Sequence, residues 1–266
     1  MLTRIAFATV ITAGCTSEGA GEGEAEAEAE AEAEAEGEEC VALTEVVEFD
    51  TGDGLALEAD LRSTDENSGP AVVLLHMIPP GNDRTNYPPE FIDALVARGI
   101  TVLNVDRRGA GGSEGDAMDA YIGPSGVLDA KAAVDHLATL ACPPDAARIG
   151  IVGASNGTTT ALDYAVLTEA ESRPAPAALV FLTGGAYTEN NNDVDSNRTL
   201  LERIPILFEY ASDEAVWSSQ FLSGAPPAWV FDERDVSPPL TGHGTNMFDA
   251  DPISIDVVAD FLAGTL

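Results

Sequence analysis

The chain has 266 residues, of which 46 are acidic and 12 basic, for a formal net charge of −34. So negative a surface argues against nucleic acid as a partner and against strongly anionic substrates, because both would be repelled. The charge is not confined to one tail: eleven glutamates fall within residues 18–39, and 35 acidic residues against 11 basic ones remain beyond residue 40.

In chain order, Arg4 precedes the apolar run Ile5 to Ile11, and the small residues Thr12, Ala13 and Gly14 lead into Cys15. This resembles the export signal and lipobox of bacterial lipoproteins, whose cysteine becomes the acylated first residue, although Thr12 stands where an aliphatic residue is usual. Residues 1–15 are therefore expected to direct export, with membrane contact only through a lipid on Cys15. Plain secretion and an uncleaved start are the alternatives. Residues 16–40 carry Glu-Ala repeats that cannot bury a core and whose carboxylates repel one another, so they read as a solvated tether. Fully extended, that tether would reach on the order of 70 Å. Residues 41–266 are enough for one α/β domain. With Cys15 set aside, Cys40 and Cys142 could form one disulfide; two unpaired thiols are the alternative, and their spacing suits neither a zinc site nor a redox motif.

Within the domain, Val41 to Phe49 and Leu55 to Leu61 alternate apolar and polar residues around Thr51-Gly52-Asp53-Gly54 and predict an antiparallel hairpin. The run Ala71 to Leu75 is continuously apolar, as in a strand buried on both faces. Phe91, Ile92, Leu95 and Val96 recur at helical spacing before Gly99, and Thr101 to Val105 predicts the next strand. A turn, Asp106-Arg107-Arg108-Gly109-Ala110-Gly111-Gly112-Ser113, leads to a helix over Val127 to Leu140. Further strands are expected at Ile149 to Val152, Ala177 to Leu182, Ile204 to Tyr210 and Ala228 to Phe231. Helices are expected at Thr158 to Thr168 and Pro252 to Leu262. The alternation implies a doubly wound, mostly parallel eight-stranded sheet, in which reactive groups gather where strands end.

At one strand end lies Gly153-Ala154-Ser155-Asn156-Gly157, and strand, turn and helix around a serine are what an exposed nucleophile requires. An ordinary Gly-rich turn is the alternative. Other strand ends carry His76-Met77-Ile78-Pro79-Pro80-Gly81, the loop with Asp193 and Asp195, Ala211-Ser212-Asp213-Glu214, and Gly242-His243-Gly244. Serine, acid and histidine thus occur in the chain order found in α/β-hydrolases.

On these residues, from about 44 to 262, the chain resembles the α/β-hydrolases and is similar to their small, lidless dienelactone-hydrolase-like and esterase-like members. The resemblance implies Ser155 as nucleophile, His243 as general base and Asp213 as the acid that orients it. Glu214 is the nearest competitor for the acid, followed by Asp235 and the pair Asp193 and Asp195. His136, on a helix, reads as structural or surface, and His76, the lesser alternative for the base, falls where relatives place the oxyanion loop's structural histidine. The oxyanion hole is expected from the backbone N–H of Asn156 and that of Met77 or Ile78, with Met77 standing where relatives often carry glycine. The polar stretch from Thr183 to Arg203 is too short for an apolar helical cap. Tyr87, Tyr187, Trp217 and Trp229 could join Met77 and Ile78 in an apolar pocket or lie in the core. The expected activity is hydrolysis of a small-molecule carboxylic ester without a cofactor or metal. A non-catalytic binding protein of the same fold, or a peptidase or thioesterase with the same triad, are the alternatives.

Overall fold

The computed structural model describes residues 40–185 and 192–266. The expected export signal with Cys15, most of the Glu-Ala segment and Tyr187 lie outside the described residues. Eight strands form one sheet in the order β1-β2-β4-β3-β5-β6-β7-β8. The hairpin strands β1 (Thr44–Asp50) and β2 (Ala56–Arg62) pair antiparallel, with β2 also antiparallel to β4. The remaining pairings are parallel, among β3 (Ala71–Leu75), β4 (Thr101–Val105), β5 (Ile149–Ala154), β6 (Ala178–Leu182), β7 (Ile206–Ala211) and β8 (Trp229–Arg234).

The central strands read as unbroken apolar runs because both their faces are covered. Val72 and Leu74 point to one side, where they meet Phe91, Ile92 and Leu95 of α1 (Pro89–Val96) and Val258, Ala259 and Leu262 of α6 (Ile253–Thr265). Val73 and Leu75 point to the other, against Ala130, Ala133 and Leu137 of α2 (Val127–Leu137) and Ala161, Leu162 and Ala165 of α3 (Asn156–Glu171). Each such large aliphatic side chain contributes about 1.5–3 kcal/mol by leaving water. Short helices α4 (Arg198–Leu201) and α5 (Asn246–Ala250) lie in the loops beyond β6 and β8. No helix among the described residues is long and apolar enough to cross a membrane.

Several element bounds differ from the sequence expectation. Helix α2 stops at Leu137 instead of Leu140 because the Thr139 N–H and hydroxyl both bond the His136 carbonyl, at 2.9 and 2.7 Å, and close the last turn. Helix α3 starts at Asn156, inside the turn, rather than at Thr158. Strand β8 continues through Asp232, Glu233 and Arg234, residues whose polarity suggests a loop. Asp232 is register partner to Glu209 of β7, and Arg234 lies 2.6 Å from Asp232 and 3.8 Å from Glu209.

Glu209 is 1% exposed, and neither carboxylate oxygen has a hydrogen-bond partner. Burial pushes it up to about 8, with Asp232 and Asp251 adding to the effect while Ser254 and Arg234 oppose it. Between its ordinary value of 4.5 and about 8 the folded protein holds a proton that the unfolded chain has released. Stability from this group is therefore complete at low pH and declines as pH rises through that window. Glu209→Gln should remove the decline, so that urea denaturation finds the variant gaining on the wild type by several kcal/mol between pH 5 and 9, at about 1.4 kcal/mol per pKa unit.

A disulfide joins Cys40 to Cys142, 102 residues apart in sequence. Constraining so long a loop in the unfolded chain contributes about 4–5 kcal/mol in the chain-entropy account. Replacing both cysteines by serine should lower the urea-denaturation stability by roughly that amount.

Candidate active site

Ser155 sits between β5 and α3 with φ 50° and ψ −121°, a conformation that costs a non-glycine residue on the order of 1–3 kcal/mol. Its surroundings hold it there. Its N–H bonds the Leu182 carbonyl at 2.9 Å, and its own carbonyl accepts from the N–H and hydroxyl of Thr158. The turn closes only because its flanks lack side chains. A Cβ on Gly157 would stand 2.2 Å from the Leu75 carbonyl oxygen, and one on Gly153 would stand 2.5 Å from that of Gly157. The sharp turn leaves the Ser155 side chain facing the loop that carries His243.

That contact is direct: Ser155 Oγ and His243 Nε2 are 2.7 Å apart. On the other side of the imidazole, Nδ1 meets Glu214 Oε2 at 3.1 Å. The carboxylate at this position is thus Glu214 rather than the expected Asp213, which is exposed. The reason is local. Strand β7 runs on to Ala211, and a tight 3₁₀ turn, Ser212–Trp217, begins immediately. With three residues per turn, neighbouring side chains diverge by about 120°. Asp213 therefore turns to water when Glu214 faces the histidine, and the longer glutamate arm spans the gap. The other candidates are engaged elsewhere: Asp235 accepts from the Ser212 hydroxyl, Asp193 caps the turn at the Ser196 N–H, and Asp195 pairs with Arg198.

Thr183, fully buried at the end of β6 with φ 53°, bridges both sides of His243. Its hydroxyl donates to the Gly242 carbonyl at 3.2 Å and accepts from the Gly244 N–H at 3.0 Å. Nothing in the primary sequence distinguishes this threonine from its neighbours, and sequence reasoning missed it. Gly244, at φ +57°, allows the loop to pass Met77, whose sulfur would lie 2.7 Å from a Cβ there.

Met77 is buried, Ile78 is exposed, and Met77 is not among the residues with positive φ. A backbone that needs glycine is therefore not required at this position. Asn156 begins α3, where N–H groups have no partner within the helix. His76 is fully buried and held down to about 3, first by burial and then by the Arg107 charge. Its Nε2 accepts from the Arg107 N–H at 2.9 Å, which leaves Nδ1 to donate to the Met77 carbonyl at 2.7 Å. It is a neutral strut for the loop after β3. His136 lies on α2 and stacks on Phe49 at 4.8 Å. Tyr87 and Trp229 belong to the core, their polar tips bonded to the carbonyls of Leu75 and Leu201, while Trp217 is half-buried in the 3₁₀ turn. Among the described residues no group of three or more His, Cys, Asp and Glu side chains could hold a metal.

An eight-stranded, mostly parallel sheet with a serine on a strained strand-to-helix turn defines an α/β hydrolase. The family described as serine aminopeptidase, S33, matches residues 71–236, and the chain belongs to it. Solved structures agree on the fold. An esterase from Pyrococcus furiosus superposes with a TM-score of 0.62 at 17% identity, over 83% of this chain and 91% of its own. A dienelactone hydrolase from Anabaena variabilis gives 0.59 at 16% identity, over 84% and 96%. DcsB, solved in complex with a substrate analogue, gives 0.60 at 14% identity, over 84% and 99%. A search of curated proteins found no match.

Proposed function

We propose that the protein hydrolyses carboxylic esters through an acyl-enzyme on Ser155, with His243 as general base and acid and Glu214 as the carboxylate that orients it. The observation that carries this reading is the hydrogen-bonded chain Ser155 Oγ, His243 Nε2 and Nδ1, Glu214 Oε2, at 2.7 and 3.1 Å. A serine hydroxyl is a weak nucleophile at neutral pH, and an imidazole at that distance can take its proton as the oxygen attacks. The proton then passes to the departing alkoxide, and water repeats the sequence on the acyl-enzyme. Asn156, Met77 and Ile78 supply the N–H groups for the tetrahedral oxyanion. The esterase and dienelactone hydrolase among its structural neighbours support an ester over other acyl groups, and the acidic surface favours a neutral one.

The test is labelling of the purified protein with a fluorophosphonate, followed by a panel of p-nitrophenyl esters, peptide anilides including aminoacyl anilides, and acyl thioesters. Modification at Ser155 with the highest kcat/KM on esters is the expected result. Failure to label would favour a non-catalytic binding protein, and preference for the anilides would favour the peptidase activity in the family's name. From the lipobox-like residues that precede Cys15 we further propose that the enzyme is exported and held on a membrane by a lipid there, so Cys15→Ser should move it from the membrane to the soluble fraction.

A further inference from the structure

Arg107 is the most deeply buried cation near the site, with 0% exposure. Among the described residues no carboxylate lies within ion-pair distance of its guanidinium, and its Nε has no hydrogen-bond partner. A buried charge with no ion-pair partner is costly even after relaxation, so its retention needs a reason. Burial pulls it down only to about 10, which leaves it charged at neutral pH.

Its hydrogen bonds supply the reason. Nη1 donates to the carbonyls of His76 and Met77, at 3.2 and 3.4 Å. In a planar trans peptide the carbonyl and the next residue's N–H point in opposite directions. The two carbonyls held by Arg107 therefore belong to the same peptide groups as the Met77 and Ile78 N–H donors. Nη2 shares its two hydrogens among Asn156 Oδ1 at 2.9 Å, Thr160 Oγ1 at 2.8 Å and the Ala120 carbonyl at 2.6 Å. One planar fork thus ties the loop after β3 to the first turn of α3, and these segments supply the two sides of the oxyanion hole. A charge-assisted bond to a carbonyl also polarises that peptide and strengthens its N–H as a donor.

We propose that Arg107 is the positioning residue of the oxyanion hole: bonded to the His76 and Met77 carbonyls and to Asn156, it sets the direction and strength of the N–H groups that receive the oxyanion. It acts through those peptides and does not touch substrate. The proposal rests on the acyl-enzyme reading, but two of its three readouts do not require turnover.

Arg107→Lys keeps the charge without the fork, and Arg107→Met removes both. Kinetics with p-nitrophenyl butyrate should be expressed per fluorophosphonate-titrated Ser155, so that loss of folded protein is divided out. We expect kcat per site to fall about 10²-fold in either variant with KM within about threefold, comparable to removing one oxyanion donor. The rate of Ser155 phosphonylation should fall in parallel, because the phosphonyl oxygen uses the same donors. Amide hydrogen exchange in the free protein should be at least about tenfold faster at Met77 and Ile78 in the variants, relative to Val152 in the core. If Arg107→Met fails to fold, Arg107→Lys carries all three measurements. A kcat per site within about threefold of wild type, or unchanged exchange at Met77 and Ile78, overturns the proposal. A wild type that labels without ester turnover overturns the esterase reading alone, and the phosphonylation rate then decides Arg107. If the wild type does not label, the exchange measurement decides it.

Discussion

Ser155→Ala should lower kcat for ester hydrolysis about 10⁶-fold while leaving the fold and its urea-denaturation midpoint nearly unchanged. The side chain is small, and the strained φ of 50° is imposed by the Gly153 and Gly157 approaches rather than by the hydroxyl. What is lost is the covalent route itself. The remaining rate comes from oxyanion donors and substrate binding acting on water, on the order of 10³ over the uncatalysed reaction. His243→Ala should cost nearly as much, and the double variant should be no worse than either single one, because serine and imidazole act as one unit. Stopped-flow measurement of the p-nitrophenolate burst checks both: the wild type should release one equivalent rapidly and neither variant should. Additive losses in the double variant would mean that the 2.7 Å contact between Ser155 and His243 is not the working one.

Glu214→Gln should lower kcat about 10⁴-fold with little change in KM, whereas Asp213→Asn should stay within about threefold of wild type. The glutamate oxygen accepts a hydrogen bond from Nδ1–H and so keeps the Nε2 lone pair directed at Ser155. A glutamine can turn its NH2 toward Nδ1, which favours the other tautomer and leaves Nε2 carrying a proton where it must accept one. The carboxylate also stabilises the imidazolium formed as Ser155 attacks. The two carboxylates are adjacent in sequence but only Glu214 bonds the histidine, so the pair of variants separates a hydrogen-bonded effect from a general field. Equal losses in the two would assign the effect to the field, and the reverse order would return the role to Asp213.

The one-residue difference between Asp213 and Glu214 shows what a sequence leaves out. The strand leading to them is legible because, Glu209 apart, its residues are largely apolar on both faces. The phase of the following 3₁₀ turn depends on where that strand ends, and the polarity of Ser212-Asp213-Glu214 does not mark it. Strands β3 and β4 can be read to the residue for the same reason that they are central. Strand β8 is longer than its apolar run because Asp232 and Arg234 are accommodated by each other and by buried Glu209, a neighbour 23 residues away in sequence. Arg107 stands in a turn whose composition suggests surface, and only the convergence of carbonyls from residues 76, 77 and 120 reveals its burial. Ser155, His243 and His76 could be placed from sequence because turn glycines and strand ends are local signals. Thr183 and Arg107 could not, because their roles are made by partners distant in the chain.

The bridge between Cys40 and Cys142 also governs how the domain meets a mechanical pull. Strand β1 is an edge strand, and tension entering ahead of it would otherwise peel it from β2 pair by pair, beginning with Thr44 and Arg62. With the disulfide closed, traction on Cys40 is transferred to the segment preceding β5, which backbone bonds from Ser68 to Pro143 and from Asp145 to Gly69 fasten to the turn that leads into β3. That anchorage lies at the start of β5, and Ser155 follows its other end. Drag on the chain ahead of the domain is thereby taken up away from the loops that hold Ser155, His243 and Glu214 in register.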